Sequence, residues 1–526
     1  METSNNIIRN HETLTQNTDR DSSTRSIWQE GVPELESSNA SNFNPATIYD
    51  VLIIGGGITG LTTALLLQKA GKNCILAEAH TLGYGTTGGT TAHINTFLDT
   101  SYKTIESNFG KEGSELVAEA TQQAIDLIYQ LVKEYNINCD FEFLPGYLYA
   151  ETDDQGSELE KIYESAVQAG VSVRIVSESP VPAPFKKAII YEGQAKFHPL
   201  KYIISLANEF AKLGGIILEH TFIRDLKTEG QFHVAKSDSV SINAGKVVYA
   251  THIPPGINLL HFRCAPYRSY AVAFKAGETT FPQALAYDMQ QPYHYFRCQL
   301  INQQRYMIVG GSDHKTGHGS PGEAFKTLEE YVKTLYPEAY IEYRWSAQFY
   351  EPSDGLPYIG KLPGIDEGVY VATGYSGNGI TYGSIAGKIL TDLILTGESE
   401  FEKVFSPGRI KPVAGFQEFV KENANVAYHF IADRFSVRSI QSLQEMLPDS
   451  GNVVEHEGKK LAVYKDASGE IHALNPVCSH AKCIVNWNNV EKSWDCPCHG
   501  ARYGINGEVL NGPASYGLQK IELNKE

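Results

Sequence analysis

The hydrophobic pattern near the start of the chain predicts alternating strands and helices. Residues 49–54, apolar except for Asp50, predict a buried strand, which is followed by glycines and by a helical pattern that extends to Gln68, and residues 73–78 predict a second strand that ends in an acid. A strand, a helix and a second strand in this order begin a doubly wound parallel sheet. Residues 247–250 and 368–372 are equally apolar and predict later strands of the same sheet.

A second group of patterns predicts a separate layer, inserted between the parts of that sheet. Apolar residues at helical spacing predict an amphipathic helix over 114–135: Leu116, Val117, Ala120, Ala124, Ile128, Leu131 and Val132. Residues 141–150, 188–191 and 293–299 are rich in aromatic and β-branched residues, which is typical of antiparallel strands. We expect these strands to form a mixed or antiparallel substrate domain.

Composition and charge exclude several classes of protein. The 526 residues include 44 Lys and Arg against 61 Asp and Glu, and a net charge of −17 disfavours nucleic acid as a partner. Two uncharged stretches, 51–68 and 368–387, contain several glycines and polar residues, so we expect cofactor loops that lead into helices and no membrane span. The first 45 residues lack the basic start and apolar segment of a secretory signal, which predicts a cytoplasmic protein.

A glycine-rich turn follows the first predicted strand. Gly55, Gly57 and Gly60 form a G-x-G-x-x-G motif, in which the glycines allow a tight turn, close approach of a pyrophosphate and close packing of helix on strand. The helix start, with Ile58 and Thr59, offers N–H groups to phosphates. Glu78, followed by Ala79, ends the second strand where a carboxylate would accept from ribose hydroxyls. The motif predicts a dinucleotide but does not separate FAD from NAD.

Residues 26–410 resemble the D-amino-acid-oxidase and glycine-oxidase family of FAD-dependent enzymes. Three segments carry the resemblance: 83–92, 354–360 and 374–381. The resemblance implies FAD, with cofactor-binding residues Thr86, Thr87, Thr91, Gly374, Gly377, Asn378, Gly379, Ile380 and Thr381. It also implies oxidation of a carbon beside an amine nitrogen. No second G-x-G-x-x-G follows a predicted strand, so a separate nicotinamide site is not expected.

Four of the eight cysteines lie near the C-terminus, in a pattern typical of a metal site. Cys478 and His480 form a C-x-H pair, and Cys496 and His499 form a C-x-x-H pair. Two thiolates and two imidazoles suit a structural zinc ion, which is one interpretation. Because each pair mixes one Cys with one His, the pattern favours a Rieske [2Fe–2S] cluster, in which one iron takes two Cys and the other two His.

This module resembles the Rieske family, including its proline loop at residues 512–514. The resemblance assigns Cys478 and Cys496 to one iron and His480 and His499 to the other. It also implies a disulfide between Cys483 and Cys498, as in the respiratory-complex branch of that family. Ala501 stands where that branch has a serine donor to cluster sulfur, while Tyr503 fills the tyrosine position. We therefore expect a reduction potential in the lower part of the Rieske range.

These motifs together predict three folded regions. The expected fold is an α/β, Rossmann-like FAD-binding domain with an inserted mixed or antiparallel substrate domain, followed by a small all-β Rieske domain. We expect a flexible polar tail at 1–45, with a docking segment at Ser26, Ile27 and Trp28, and an oxidoreductase at 46–400. Its FAD-binding parts are expected at about 46–110, 190–255 and 350–400, and its substrate-domain parts at about 135–190 and 255–345. Residues 401–430 are expected to link it to the Rieske domain at 431–526.

Few pocket residues can be named from the sequence. His93 and Tyr375 are candidates to face the flavin or the substrate, and Arg297 is a candidate to bind a substrate carboxylate in a bidentate manner. Arg268 and Tyr147 are similar candidates. For each of them a purely structural role, such as a buried ion pair or a core tyrosine, is the alternative.

The fusion of a flavin module with an iron–sulfur module predicts the direction of electron flow. We expect an amine or amino-acid substrate, with electrons passed from reduced flavin through the cluster to an external acceptor, either a protein or a small molecule. Reverse flow from an external donor stays an alternative, as does an electron-transfer or redox-sensing protein without an amine substrate. A zinc-stabilised oxidase is the third interpretation. An oligomer is compatible with the sequence.

Overall fold

The computed structural model describes residues 20–275, 282–365, 367–409, 438–439 and 442–523. The α-helices are α1 Ile58–Lys69, α2 Thr86–Gly89, α3 Tyr102–Glu134, α4 Asp153–Gln168, α5 Pro199–Lys212, α6 Pro321–Leu335, α7 Gly379–Leu395 and α8 Glu402–Phe405. Short 3₁₀ helices cover Ile27–Gln29, Ala40–Asn42, Leu259–Phe262 and Leu443–Glu445. Helix α3 is kinked at Gly110, which has a φ of 78°.

The strands fall into three groups along the chain. The first ten are β1 Ile48–Ile54, β2 Cys74–Ala77, β3 His93–Ile94, β4 Glu142–Ala150, β5 Val173–Val176, β6 Lys187–Lys196, β7 Ile216–Leu218, β8 Asp225–Glu229, β9 Phe232–Lys236 and β10 Ser241–Tyr249. The next seven are β11 Cys264–Lys275, β12 Leu285–Asp288, β13 Tyr295–Ile301, β14 Gln304–Lys315, β15 Tyr340–Pro352, β16 Tyr358–Lys361 and β17 Val369–Thr373. The last are β18 Arg438–Ser439, β19 Ser450–His456, β20 Lys459–Lys465, β21 Ile471–Leu474, β22 Asn486–Asn488, β23 Ser493–Asp495, β24 Arg502–Tyr503 and β25 Val509–Asn511.

The first sheet contains the predicted parallel core. Its order is β16-β17-β10-β1-β2-β7, with β9 and β8 extending from β10, and the pairs from β17 to β7 are parallel. β2 is fully buried and β1 is buried from Val51 to Ile54, as expected of parallel strands covered on both faces. The glycine-rich turn and the predicted acid therefore follow neighbouring carboxyl ends of one sheet, where α/β folds bind ligands.

The second sheet is mixed and is built from three separate stretches of the chain. Its order is β15-β11-β14-β13-β12-β4-β6-β3, with β5 on β6, and only the β12–β4 pair is parallel among the described pairs. This confirms the inserted substrate layer. β3 lies in this sheet although residues 46–110 were expected in the dinucleotide-binding part, because it pairs with the end of β6.

The C-terminal module consists of two four-stranded sheets, β18-β19-β20-β21 and β22-β23-β24-β25. Its core contains Trp494, Tyr503 and Val485 together with four buried cysteines. This is the predicted all-β module. The expected linker at 401–430 is described only as far as residue 409, and most of it lies outside the described residues.

The N-terminal segment differs from the expected flexible tail. Residues 1–19 lie outside the described residues, but Arg20 and Asp21 are almost completely buried. Ile27 and Trp28 are also fully buried, as the docking segment requires, and the Trp28 indole N–H donates to the carbonyl of Thr90. The prediction of a flexible tail is therefore wrong for residues 20–28, since ion pairs and apolar packing both fix this segment.

The two uncharged stretches form β1 with α1 and β17 with α7, in agreement with the expected loops and helices. Among the described residues, no helix combines the length and the apolar character that crossing a membrane requires.

Candidate active site and metal centre

The glycine-rich turn has the geometry that a dinucleotide needs. Gly55 has a φ of 113°, a left-handed value that other residues rarely adopt. A Cβ on Gly60 would lie 1.9 Å from the carbonyl oxygen of Gly55, so only glycine allows α1 to pack this closely on β1. The Glu78 carboxylate accepts hydrogen bonds from the N–H groups of Gly56, at 2.6 Å, and His80, at 2.8 Å.

A large cleft lies at the carboxyl ends of β1, β2 and β10 and extends to the second sheet. Most of the predicted cofactor residues line it: Gly55, Gly57, Ile58, Thr59, Glu78, Ala79, Thr86, Thr87, Thr91, Gly377, Asn378, Gly379 and Ile380. Three others support the cleft from behind. Gly60 packs on Gly55, Gly374 has a φ of 77° beside Cys264, and the Thr381 hydroxyl donates to the carbonyl of Asn95.

Two of the three catalytic candidates, His93 and Tyr375, lie in the cleft. The Nδ1 atom of His93 is 3.1 Å from the hydroxyl of Thr91, and its Nε2 atom is 3.3 Å from the carbonyl oxygen of Phe296. Burial lowers the pKa of His93 to about 3, so the ring is neutral at physiological pH. The Tyr375 hydroxyl is 3.0 Å from the hydroxyl of Thr59, at the start of α1.

Arg297 does not reach the cleft, so its expected role as a carboxylate ligand is wrong. Its fully buried guanidinium donates to the carbonyl oxygens of Thr91, at 2.9 Å, and Ala92, at 2.7 Å. It also lies 5.1 Å from the indole ring of Trp28. Arg297 therefore fixes the backbone that carries Thr91 and His93 into the cleft.

Arg268 and Tyr147 are also outside the cleft. Arg268 is buried and forms a 2.9 Å ion pair with Glu491 of the C-terminal module. The Tyr147 hydroxyl donates to the carboxylate of Glu178 at the surface. The contacts of Arg268 and Tyr147 therefore fit a structural role and not the binding of a substrate.

The sequence did not reveal the polar groups that the second sheet and its adjoining loops contribute to the cleft. These are Asp99, Ser269, Tyr287, Tyr293, Tyr295 and Asp313. They come from five separate regions of the chain and share no motif, so no local signal could have found them. A neighbouring group, His252, follows β10 and also lines the cleft.

The four predicted metal ligands lie together in the C-terminal module. The thiols of Cys478 and Cys496 share a hydrogen bond, and the ring centroids of His480 and His499 are 5.0 Å apart. The Nδ1 atoms of both histidines are buried without a hydrogen-bond partner. Buried nitrogens normally have a partner, so two orphaned imidazole nitrogens beside two thiols fit a mixed Cys and His metal centre.

The surroundings of this centre match the expected pattern. Cys483 and Cys498 are joined in a disulfide. The Tyr503 hydroxyl is 3.0 Å from the sulfur of Cys478 and 3.2 Å from the backbone nitrogen of Ser479. Ala501 is fully buried and offers no side-chain donor at the position of the respiratory serine.

Comparisons with known proteins account for both parts of the chain. The family described as FAD dependent oxidoreductase (DAO) matches residues 50–393, which is more than half of the sequence. This chain belongs to that family. The Rieske [2Fe-2S] domain family matches residues 436–522. The oxidoreductase therefore has two cofactors, FAD in the cleft and a [2Fe–2S] cluster in the Rieske domain.

Individual relatives extend this result. The protein described as "Putative Rieske 2Fe-2S iron-sulfur protein YhfW" of Bacillus subtilis (strain 168) is 32% identical over 481 residues, covering 91% of this chain and 94% of its own. Gamma-glutamylputrescine oxidoreductase of Escherichia coli (strain K12) is 24% identical over 414 residues, covering 75% and 95% respectively. The crystal structure of glycine oxidase from Geobacillus kaustophilus shares the fold, with a TM-score of 0.58 at 21% identity, over 69% of this chain and 99% of that one.

The Rieske domain of this oxidoreductase is docked on the flavoprotein through buried ion pairs. Glu491 accepts from Arg268 at 2.9 Å and from Arg502 at 3.0 Å, and Arg502 also donates to the backbone carbonyl of Asp21 at 2.7 Å. Asp21 in turn pairs with Arg20 at 2.9 Å. The network therefore joins the N-terminal segment, the substrate sheet and the Rieske domain.

The docked domain reaches the FAD-binding cleft and places its histidine ligands against the flavoprotein. Residues 509–514, which include the proline loop, line the cleft itself. The Nε2 atom of His480 lies 2.9 Å from the carbonyl oxygen of Gly256, and the ring of His261 lies 4.7 Å from that of His480. Tyr350 lines the cleft, and its hydroxyl donates to the carbonyl of His499 at 3.1 Å.

Proposed function

We propose that this protein oxidises a C–N bond of an amine or amino acid at FAD and passes the electrons through its own Rieske cluster to an external acceptor. FAD, when bound, accepts a hydride equivalent from the carbon beside the amine nitrogen, which leaves an imine that water hydrolyses. Relatives named glycine oxidase and gamma-glutamylputrescine oxidoreductase support an amine-type donor.

The residues of the cleft support this role in simple physical ways. Helix α7 begins at Gly379, and its N-terminal residues line the cleft, so its positive end favours negative charge that develops there. His93 is neutral and can accept a hydrogen bond without adding positive charge that would repel an ammonium group. Arg297, one layer behind, fixes the strand that presents His93.

The single observation that carries electron transfer within the chain is the position of Tyr350. One side chain lines the FAD-binding cleft, packs its ring 4.8 Å from that of His252, and bonds to the backbone of the cluster ligand His499. Contact between a cleft residue and a cluster ligand gives electrons a short route inside one polypeptide. An oxidase that uses oxygen directly has no need of this arrangement.

The cluster comes nearest to the surface at the edge of its contact with the flavoprotein. His499 is buried, whereas His480 is only half-buried, so the centre approaches the surface at His480. We therefore place the entry of the acceptor near His480.

The test is anaerobic mixing of the full-length holoprotein with a panel of amines and amino acids. Absorbance follows the flavin, and low-temperature electron paramagnetic resonance follows the reduced cluster. We expect flavin bleaching followed by cluster reduction with a subset of the panel. In a Cys478→Ser variant, which lacks one iron ligand, the flavin should still bleach while reduction of an added one-electron dye becomes much slower.

Two results would contradict the proposal. If no amine bleaches the flavin, the interpretation as an electron-transfer or redox-sensing protein is favoured instead. If the flavin bleaches while an intact cluster of suitable potential stays oxidised, the two centres do not exchange electrons.

A further inference from the structure

The part of the cleft formed by the second sheet is lined by aromatic rings. The ring of His93 lies 5.3 Å from that of Tyr287 and 5.5 Å from that of Tyr295, and Tyr293 lies 5.7 Å from Tyr295. The Tyr287 hydroxyl is fixed by the side-chain amide of Asn95, which donates to it at 2.8 Å. Aromatic faces of this kind attract organic cations.

Two carboxylates accompany these rings. Asp99 accepts hydrogen bonds from the Gly377 N–H, at 2.6 Å, and from the Tyr293 hydroxyl, at 3.0 Å. Asp313 accepts from the hydroxyl of Ser269, which is itself 2.7 Å from the Tyr295 hydroxyl. Asp99 is exposed to the cleft and Asp313 is half-buried, so a bound ligand can reach both.

The described lining of the cleft offers no positive side chain to balance these carboxylates. Among the described residues that line the cleft, none is lysine or arginine. Arg297 and Arg268, the two nearby arginines that were candidates, are bonded to backbone carbonyls and to Glu491 respectively. A ligand carboxylate would therefore be desolvated beside two acids without a partner, which is costly, whereas an ammonium group would gain one.

We propose that the ligand of this cleft is an alkyl diamine or polyamine, with no carboxylate beside the reacting carbon. Asp313 and Asp99 bind its distal ammonium between the tyrosine rings, while the reacting nitrogen, in its neutral form, faces the flavin. This assignment rests on the proposed function and names its substrate class. Partial removal from bulk water inside the cleft raises the pKa of both carboxyl groups, in agreement with a site that lacks its own cation.

The test compares four probes by calorimetry with the FAD-loaded full chain under anaerobic conditions. The probes 1,4-diaminobutane, butylamine and 4-aminobutanoate share a four-carbon chain and differ at the distal end, and glycine carries a carboxylate beside the reacting carbon. We expect diaminobutane to bind at least tenfold more tightly than butylamine, and the two amino acids to bind more weakly than butylamine.

Variants assign this preference to the carboxylates. Asp313→Asn should reduce the affinity for diaminobutane to about that for butylamine and leave butylamine binding unchanged. Asp99→Asn is the second variant, with FAD content and melting temperature as checks that the cleft is intact. Asp126→Asn, on the exposed face of α3, makes the same chemical change far from the cleft and should alter neither affinity.

The outcomes separate this inference from the proposed function. Binding of glycine or 4-aminobutanoate as tight as that of diaminobutane overturns the inference, as does a preference that survives both variants. If glycine binds tightly and also bleaches the flavin, the proposed function stands and only the substrate class is wrong. If diaminobutane binds with the expected preference but never bleaches the flavin, the ligand assignment stands and the reaction fails.

Discussion

Buried and half-buried carboxylates occur in two parts of this molecule, with opposite surroundings. At the interface of the Rieske domain, Glu491 is fully buried and paired with Arg268 and Arg502. In the cleft, Asp313 has the hydroxyl of Ser269 as a hydrogen-bond donor and no basic side chain among the described lining residues. The first arrangement is complete within the chain, and the second leaves a negative charge for a ligand.

The pKa values reflect this difference. Burial opposes ionisation of Glu491, yet Arg268 and Arg502 lower its pKa to about 2. Burial also opposes ionisation of Asp313, and with Asp99 as a further negative neighbour its pKa is raised to about 8. A carboxylate that is ionised at every physiological pH holds domains together, whereas one that titrates near neutrality responds to a ligand.

The largest expected effect comes from removing one arginine of the buried ion-pair network around Glu491. Arg502→Ala leaves Glu491, Asp495 and Asp21 buried without their shared cation. We expect the free energy of unfolding to fall by about 3–5 kcal/mol, because an uncompensated buried charge is strongly destabilising. Denaturant titration measures the change, and limited proteolysis should show release of the Rieske domain.

Arg344→Ala is the matched control for this prediction. Arg344 pairs with Glu329 at the surface, where its side chain is 44% exposed, so its loss should cost only about 0–1 kcal/mol. Equal effects of the two substitutions would show that the buried network contributes no more than a surface ion pair.

These two regions also show what the sequence could and could not predict. The G-x-G-x-x-G turn and the Cys and His pairs of the cluster are local patterns, because neighbouring residues in sequence bind one group. Four strands of the parallel core were also predictable, because β1, β2, β17 and the end of β10 contain short apolar runs. The turn, the metal-ligand pairs and these apolar runs can each be recognised within a short segment of the sequence.

Residues whose partners are distant in sequence were not predictable. Arg20 and Asp21 lie in a polar segment that predicted a flexible tail, but their ion-pair network includes Arg502, 481 residues beyond Asp21. Asp99 and Asp313 come together in the cleft because Asp99 lies in the loop after β3, Asp313 lies on β14, and these two strands belong to the same sheet. Arg297 was predicted to face the substrate because strand position alone does not say which face of β13 is covered.

The second effect, of intermediate size, concerns the unpaired cleft carboxylate of Asp313 and the pH dependence of ligand binding. Asp313 is protonated below its pKa of about 8, and only the ionised form attracts an ammonium group. The ratio of the apparent affinities for 1,4-diaminobutane and butylamine should therefore rise about tenfold from pH 6 to pH 7 and level off above pH 8, because both probes lose the proton of the reacting nitrogen over the same range and that contribution cancels. Among the described residues, the titratable neighbours of Asp313 are Asp99, Glu351, Tyr293 and Tyr295; burial raises the pKa of both tyrosines further above 10, and neutral His93 does not titrate in this range.

Calorimetry across this pH range checks the prediction in buffers of matched ionic strength. Asp313→Asn should give a profile without the rise, and Asp126→Asn should reproduce the profile of the unmodified protein. A rise that persists in Asp313→Asn would assign the titration to another group and remove Asp313 from the binding of the cation.

The smallest expected effect concerns the contact that joins the two regions. Tyr350→Phe keeps the ring in the cleft but removes the hydroxyl that donates to His499 and accepts from the side chain of Gln348. Loss of this hydrogen bond should lower the free energy of unfolding by about 1 kcal/mol. It should also slow cluster reduction relative to flavin bleaching when a substrate is mixed anaerobically with the holoprotein.

Tyr202→Phe is the control for this change, because the Tyr202 hydroxyl is buried without a hydrogen-bond partner among the described residues. It should leave the ratio of the two rates unchanged. If Tyr350→Phe lowers stability but also leaves that ratio unchanged, the hydroxyl contributes to docking alone, and electrons cross the interface through other contacts. A changed ratio at unchanged stability would instead separate the electron route from the ion pairs that hold the Rieske domain in place.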